Sequence, residues 1–245
     1  MTLVKGFGYL LQGARLLSHP GLRLFVLLPL LVNIIMFSVG LLVLISFVGG
    51  WMGEIVAWLP EWMGGITSFL WFLLVILFGM AVFFSFNLLA NFIAAPLNGL
   101  LAEKVQLHLT GKELGVTNLG SILASIPRSI GREISKLTYY LPRILILLIL
   151  TLIPGINVIT PWLWVLLTAW MMVIQYVDYP MDNNGISFRK MKRSLSHQCL
   201  LHLGFGGGVS LLLMVPVVNF FAMPIAVAGA TALYVNEHEP LNIVD

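Results

Sequence analysis

The run Ser18-His19-Pro20-Gly21-Leu22-Arg23 has the residue types of a small anion site. Ser18 or His19 can cap a helix, and proline suits the first helical position. The free N–H groups of such a helix start, helped by the helix dipole, attract negative charge. Arg23 adds a planar, permanently charged fork within the first turn. The same residues also make an ordinary helix start, with Arg23 holding a lipid phosphate at a membrane interface. The motif alone leaves both readings open.

Amides form a second group. Asn87 and Asn91 lie four apart and share a helix face, and Asn98 returns near that face seven residues later. An amide in an apolar helix is costly unless paired, so these three either line an aqueous path or hold helices together. Asn33 sits in an earlier apolar run, and Glu103 is expected to pair with a nearby arginine, Arg128 or Arg143. Asp178 and Asp182 flank a Tyr-Pro turn and could cap helices or bind basic side chains. Two carboxylates are too few for a metal site. His197 and His202, five apart, are wrongly spaced for two ligands on one helix face. The one cysteine, Cys199, allows no internal disulfide and reads as a small buried hydrophobe. No Walker loop, HExxH or GxSxG motif occurs. The expectation is a protein that is not an enzyme, with no metal, cofactor or nucleic-acid partner.

The elements that must position these residues are set by composition. Of 245 residues, 59% are hydrophobic and 9% charged, against about 25% charged in a soluble domain. A globular chain of this size cannot hide so much apolar surface from water. The solvent must be lipid. Four stretches lack Asp, Glu, Lys and Arg: 24–53, 62–102, 144–177 and 194–236. The first is too long for the core of a signal peptide and reads as a retained transmembrane helix. The second reads as one long helix from about Gly65 to His108.

The other two stretches are broken in the middle, by Ile153-Pro154-Gly155-Ile156-Asn157 and by Val215-Pro216-Val217-Val218-Asn219. Proline cannot continue a helix it did not start, and Gly and Asn favour turns. Basic residues cluster before the first stretch, over 103–143 and over 178–193, whereas the 51–63 loop carries only Glu54 and Glu61. The positive-inside rule then places the N-terminus and both basic regions in the cytoplasm. Two complete spans need about 40 residues plus a turn, more than 144–177 holds. The chain is expected to enter part way, turn and return, and 194–236 is read the same way. The run Gly204-Phe205-Gly206-Gly207-Gly208 would weaken the entering arm of the second hairpin. Re-entrant backbone survives only where protein or a water-filled cavity surrounds it, and repeated half-helices are typical of transporters.

Between these parts, Ser121–Leu137 alternates Ile122, Ile126, Ile130 and Ile134 with Arg128, Arg132 and Lys136 at helical spacing. It reads as an amphipathic cytoplasmic or interfacial helix, either a lipid-headgroup anchor or a positive vestibule for anions. The fold expected is all-α and integral to the membrane. It has two long transmembrane helices, two re-entrant hairpins and this amphipathic helix, in one membrane domain over residues 1–245.

The segments SHPGLRLFVLLPLLVN, NFIAAPLNGLLAEKV, TYYLPRILILLILTLIPGIN, QYVDYPMDNNGISF and MPIAVAGAT, in this order, resemble the CysZ family of bacterial inner-membrane sulfate permeases. The resemblance covers nearly the whole chain. It implies ATP-independent sulfate import for cysteine biosynthesis, hemi-penetrating helix pairs, and assembly as a dimer or larger homo-oligomer in contact with membrane lipid. It also implies sulfate binding at Gly21, Leu22 and Arg23. Asn33, Asn87, Asn91, Asn98, Glu103, Arg128 and Arg143 are then candidates for the path. The rival expectation is a non-transporting scaffold whose hairpins only pack an oligomer.

Overall fold

The structure, a computed structural model, describes residues 2–58, 64–112 and 119–239. These residues are helical: α1 Thr2–Leu16, α2 Pro20–Ala57, α3 Gly64–Thr110, α4 Leu119–Leu152, α5 Thr160–Asn183, α6 Phe188–His197, α7 Cys199–Met214 and α8 Pro216–Glu237. They divide into two compact units, one of residues 1–30 and 95–245 and one of 31–94. The second unit consists of the parts of α2 and α3 that flank residues 59–63. Its described side chains include exposed Phe37, Leu42, Phe69 and Phe72, as expected of helices solvated by lipid.

In the first unit α1 packs on α7 and α8, and α5 packs on the same two helices. The core they enclose is apolar and fully buried, with Val173, Ile174 and Val177 from α5, Phe205 and Val209 from α7, and Ala226, Val227 and Leu233 from α8. The glycine run expected to weaken α7 does not interrupt it. These glycines serve packing instead. A Cβ on Gly204 would lie 2.1 Å from the carbonyl oxygen of Leu3 in α1, and one on Gly206 would lie 1.9 Å from that of Ala169 in α5. Without a hydrophobic force between helices in lipid, close backbone approach at small residues is what holds a bundle together.

Both breaks fall where expected. The first spans residues 153–159 and includes Gly155 at φ 88°, a left-handed conformation that favours glycine. The second is tighter than the expected turn over 216–219. Only Val215 leaves helical geometry, and Pro216 already starts α8.

Three further differences have physical reasons. First, the amphipathic segment is not a separate helix, because α4 runs unbroken from Leu119 to Leu152 through Pro127 and Pro142. Its sidedness is that of a membrane protein: Ile130, Ile134, Leu141 and Leu145 are exposed, while Lys136 is buried. Second, Tyr179-Pro180 is no turn. Pro180 lies inside α5, which ends three residues later at Asn183. Third, Cys199 is exposed rather than buried, since it opens α7 just after Gln198, where the chain bends by 104° from α6.

Candidate functional site

Helix α2 starts at Pro20, as its sequence requires, with Ser18 and His19 preceding it. Leu22 is buried and anchors the helix start in the core, whereas Gly21 and Arg23 are exposed. A Cβ on Gly21 would meet nothing within 4 Å, so the backbone there is open. The Leu22 N–H is already used, donating to the His19 carbonyl at 3.0 Å. The Arg23 guanidinium folds back on the same turn: Nε and Nη2 donate to the Ser18 carbonyl at 3.3 and 3.1 Å. His19 faces His108, near the end of α3, with ring centroids 4.6 Å apart. The result is an exposed cluster of one arginine and two imidazoles around a helix start. Every polar group in it can donate a hydrogen bond to an anion. His108 carried no signal in the sequence; only tertiary packing brings it to His19.

The other candidates are placed elsewhere. Asn98 is 1% exposed. Its amide nitrogen donates to the Tyr179 hydroxyl and to the Met223 sulfur, both at 3.3 Å. Its carbonyl oxygen has no partner among the described residues. Glu103 is buried in the same stretch of α3. Arg128 pairs with Asp182 at 2.8 Å. Arg143 lies over the Tyr139 ring at 3.5 Å and donates to the Tyr139 carbonyl at 2.6 Å. No hydrogen bond or ion pair joins Arg23, Asn98, Arg128 and Arg143 to one another among the described residues. The side chains of Asn33, Asn87 and Asn91 lie outside the described residues.

Asp178 and Asp182 bind basic side chains. Arg132 pairs with Asp178 at 2.5 Å and with Asp182 at 3.3 Å, and Lys136 reaches Asp178 at 3.2 Å and Glu133 at 2.7 Å. The i, i+4 spacing of Arg128, Arg132 and Lys136 on α4 meets that of Asp178 and Asp182 on α5. The basic face of α4 is therefore turned to α5 and matched by carboxylates, with Lys136 buried and Arg128 still half exposed. Further along the same pair of helices, the Tyr140 hydroxyl donates to the Met171 carbonyl at 3.0 Å and Trp164 Nε1 to Thr151 Oγ1 at 3.2 Å. These bridges run in opposite chain directions, so α4 and α5 form an antiparallel hairpin zipped from its ionic base to its apolar tip.

A third cluster was missed entirely. His202 and His238 meet Nε2 to Nε2 at 3.0 Å, with Ser194 Oγ 2.8 Å from His238 Nδ1 and the Gln198 carbonyl 2.8 Å from His202 Nδ1. The partners lie 36 residues apart in the chain, beyond the reach of any local spacing rule. Among the described residues no group of three or more His, Cys, Asp or Glu could hold a metal.

Helices long and apolar enough to cross a membrane and polar groups buried among apolar helices define an integral membrane protein. The chain belongs to the sulfate transporter CysZ/etoposide-induced protein 2.4 family, whose model matches residues 9–224. It is 44% identical, over 99% of its length and 97% of the relative's, to the sulfate transporter CysZ of Pseudomonas fluorescens. The sulfate transporters CysZ of Pseudomonas aeruginosa and Pectobacterium atrosepticum are 41% and 42% identical, each over 97% of this chain and over 97% and 87% of their own lengths.

Proposed function

We propose that the protein is a sulfate permease of the bacterial inner membrane that supplies cysteine biosynthesis, channel-like and independent of ATP. The observation that carries the reading is the open helix start at Gly21, Leu22 and Arg23 in a chain of this family. A dianion arriving there displaces the Ser18 carbonyl from the Arg23 fork and gains a charge-assisted pair in its place. His19 and His108 add imidazole N–H donors. Asn33, Asn87, Asn91, Asn98, Glu103, Arg128 and Arg143 line or shape the path, and the protein works as a homo-oligomer, a dimer or larger.

The N-terminus is cytoplasmic and both hairpins are re-entrant. The apolar tips support re-entrance, and the basic N-terminal and 178–193 regions support the orientation. Leu152 is 82% exposed, Val158 and Trp162 each 73%, and Met214 at the second tip 74%. Such tips are stable in hydrocarbon and not in water.

Driving force constrains the mechanism. Moving a dianion into a negative cytoplasm costs about 4.6 kcal/mol at 100 mV, twice the cost for one charge. Net import through a passive path therefore requires that assimilation keep internal sulfate very low. No Asp, Glu, Lys or Arg lies within the apolar stretches to couple protons directly. Uptake that collapses with a protonophore at clamped potential would show coupled transport instead.

The test is labelled sulfate uptake into proteoliposomes, wild type beside Arg23→Ala, with phosphate as competitor. The loss of a charged hydrogen bond, about 1.5–3 kcal/mol, should weaken sulfate tenfold or more. Equal uptake by both proteins removes sulfate binding from the helix start. Folded protein with no uptake above empty liposomes is a scaffold.

A further inference from the structure

The cations of α4 and α5's neighbourhood fall into two groups. Arg128, Arg132 and Lys136 are matched by Asp178, Asp182 and Glu133. Arg143, Arg189 and Lys192 are not, since no ion pair of the described residues includes them. They nevertheless converge. The Lys192 ammonium lies 4.5 Å from the centre of the Tyr139 ring and 5.0 Å from that of Phe188, and the Arg143 guanidinium stacks on the same Tyr139 ring at 3.5 Å. Arg189 precedes Lys192 by three residues on α6, which places the two on one face. Partial burial first, then Arg143 and Arg189, holds the Lys192 ammonium below the usual lysine range.

The setting says what would fill it. Tyr139 is fixed from behind by Trp170, whose Nε1 donates to its hydroxyl at 3.1 Å, and a Trp-Tyr pair beside arginine and lysine is typical of headgroup level. From Arg143 toward the hairpin tip, the same face of α4 continues with exposed Ile146 and partly exposed Leu150, followed by exposed Ile153 just past the helix end. The Arg143–Lys192 cluster, with its Tyr139 and Phe188 rings, thus sits at the head of a short apolar strip.

We infer that Arg143, Arg189 and Lys192 form a binding site for the phosphate of an anionic phospholipid, whose acyl chain lies along the apolar strip of α4. The site needs only a membrane setting and not sulfate transport. Bound lipid would neutralise the repelling cations and tie α6 to the base of the α4–α5 hairpin.

The experiment uses native mass spectrometry of the full chain in detergent, titrated with phosphatidylglycerol and, separately, phosphatidylcholine. Wild type should bind phosphatidylglycerol more tightly. Arg143→Gln with Lys192→Gln should lower that affinity about thirtyfold, on a scale of about fivefold per basic residue, and leave phosphatidylcholine unchanged. Arg143→Lys with Lys192→Arg should retain most of the preference. Arg189→Gln, at an exposed position, should lower it about fivefold and supplies the answer if the double variant does not fold. A second arm titrates inorganic phosphate and sulfate with no lipid. Equal phosphatidylglycerol affinity in wild type and in both Gln variants overturns the proposal. So does loss of free-oxyanion binding with lipid binding intact, because the site would then serve a soluble anion.

Discussion

The His202–His238 pair has its protons fixed by its surroundings. The Gln198 carbonyl can only accept, so His202 Nδ1 carries its hydrogen and His202 Nε2 accepts from His238 Nε2. His238 Nδ1 then accepts from the Ser194 hydroxyl. Both rings are neutral. An added proton must break one of these bonds or charge a ring that is nearly inaccessible, as His238 is 2% exposed. Burial, and then His202, push His238 from 6.5 down to about 4, although Glu237 pulls the other way. Glu237 is itself held by Lys5 at 2.6 Å and by the Tyr9 hydroxyl. Between about pH 4 and 6.5 the unfolded chain therefore binds more protons than the folded one at this site, so stability is full above 6.5 and is lost as pH falls through that window. The whole shift is worth about 3 kcal/mol at most. Melting temperature in detergent should be flat from pH 8 to 7 and fall by pH 5, with a smaller fall in His238→Gln. An equal fall in the two proteins would assign the acid sensitivity to other groups.

At the scale of elements, helix positions were legible because apolar runs and Pro-Gly breaks are local signals. The long helix expected at about Gly65 to His108 is α3, Gly64–Thr110, and the helix start at Pro20 is where capping chemistry puts it. What the elements touch was not legible. The same basic stripe on α4 could face water, headgroups or carboxylates, and only the placement of α5 selects the last. The glycine run shows the same limit. Propensity rates every glycine as a weak point, yet the cost depends on what stands opposite. Gly206→Ala would drive a Cβ to within 1.9 Å of the Ala169 carbonyl oxygen and 2.7 Å of Val173 Cγ2, whereas at Gly207 nothing lies within 4 Å. Gly206→Ala should destabilise the purified protein by about 1–3 kcal/mol or more, since α5 and α7 must move apart. Gly207→Ala should be neutral or stabilising by up to about 1 kcal/mol. Thermal unfolding of the two alanine variants in the same detergent checks this; equal melting temperatures would mean that α5 and α7 are not packed backbone to backbone.

For the whole molecule, length alone does not decide how deep the hairpins go. The segment Pro127–Leu152 has 26 residues and Thr160–Asn183 has 24, and each is long and apolar enough to cross. The distribution of charge favours the proposed partial crossing. Lys136 and Arg143 confine the charge-free part of α4 to 144–152, about 13 Å of helix against a hydrocarbon core of about 30 Å. A hairpin seated with its ionic base at the cytoplasmic surface would thus end its α4 arm inside the bilayer. The tip supports the same depth, for Leu152, Val158 and Trp162 would be set in water by a full crossing. A cysteine at Val158, in a chain with Cys199→Ser, tests it. A thiol in hydrocarbon stays protonated and does not react with maleimide. Val158→Cys should therefore resist a membrane-impermeant maleimide in spheroplasts and in inverted vesicles, and react once detergent is added. Lys190→Cys, in the basic region, should react in inverted vesicles only. Labelling of Val158→Cys in spheroplasts would put the tip outside and make α4 and α5 two complete spans. The ionic base of the hairpin would then stay at the cytoplasmic face, and the membrane would have to thin around α4 to reach its charged turns.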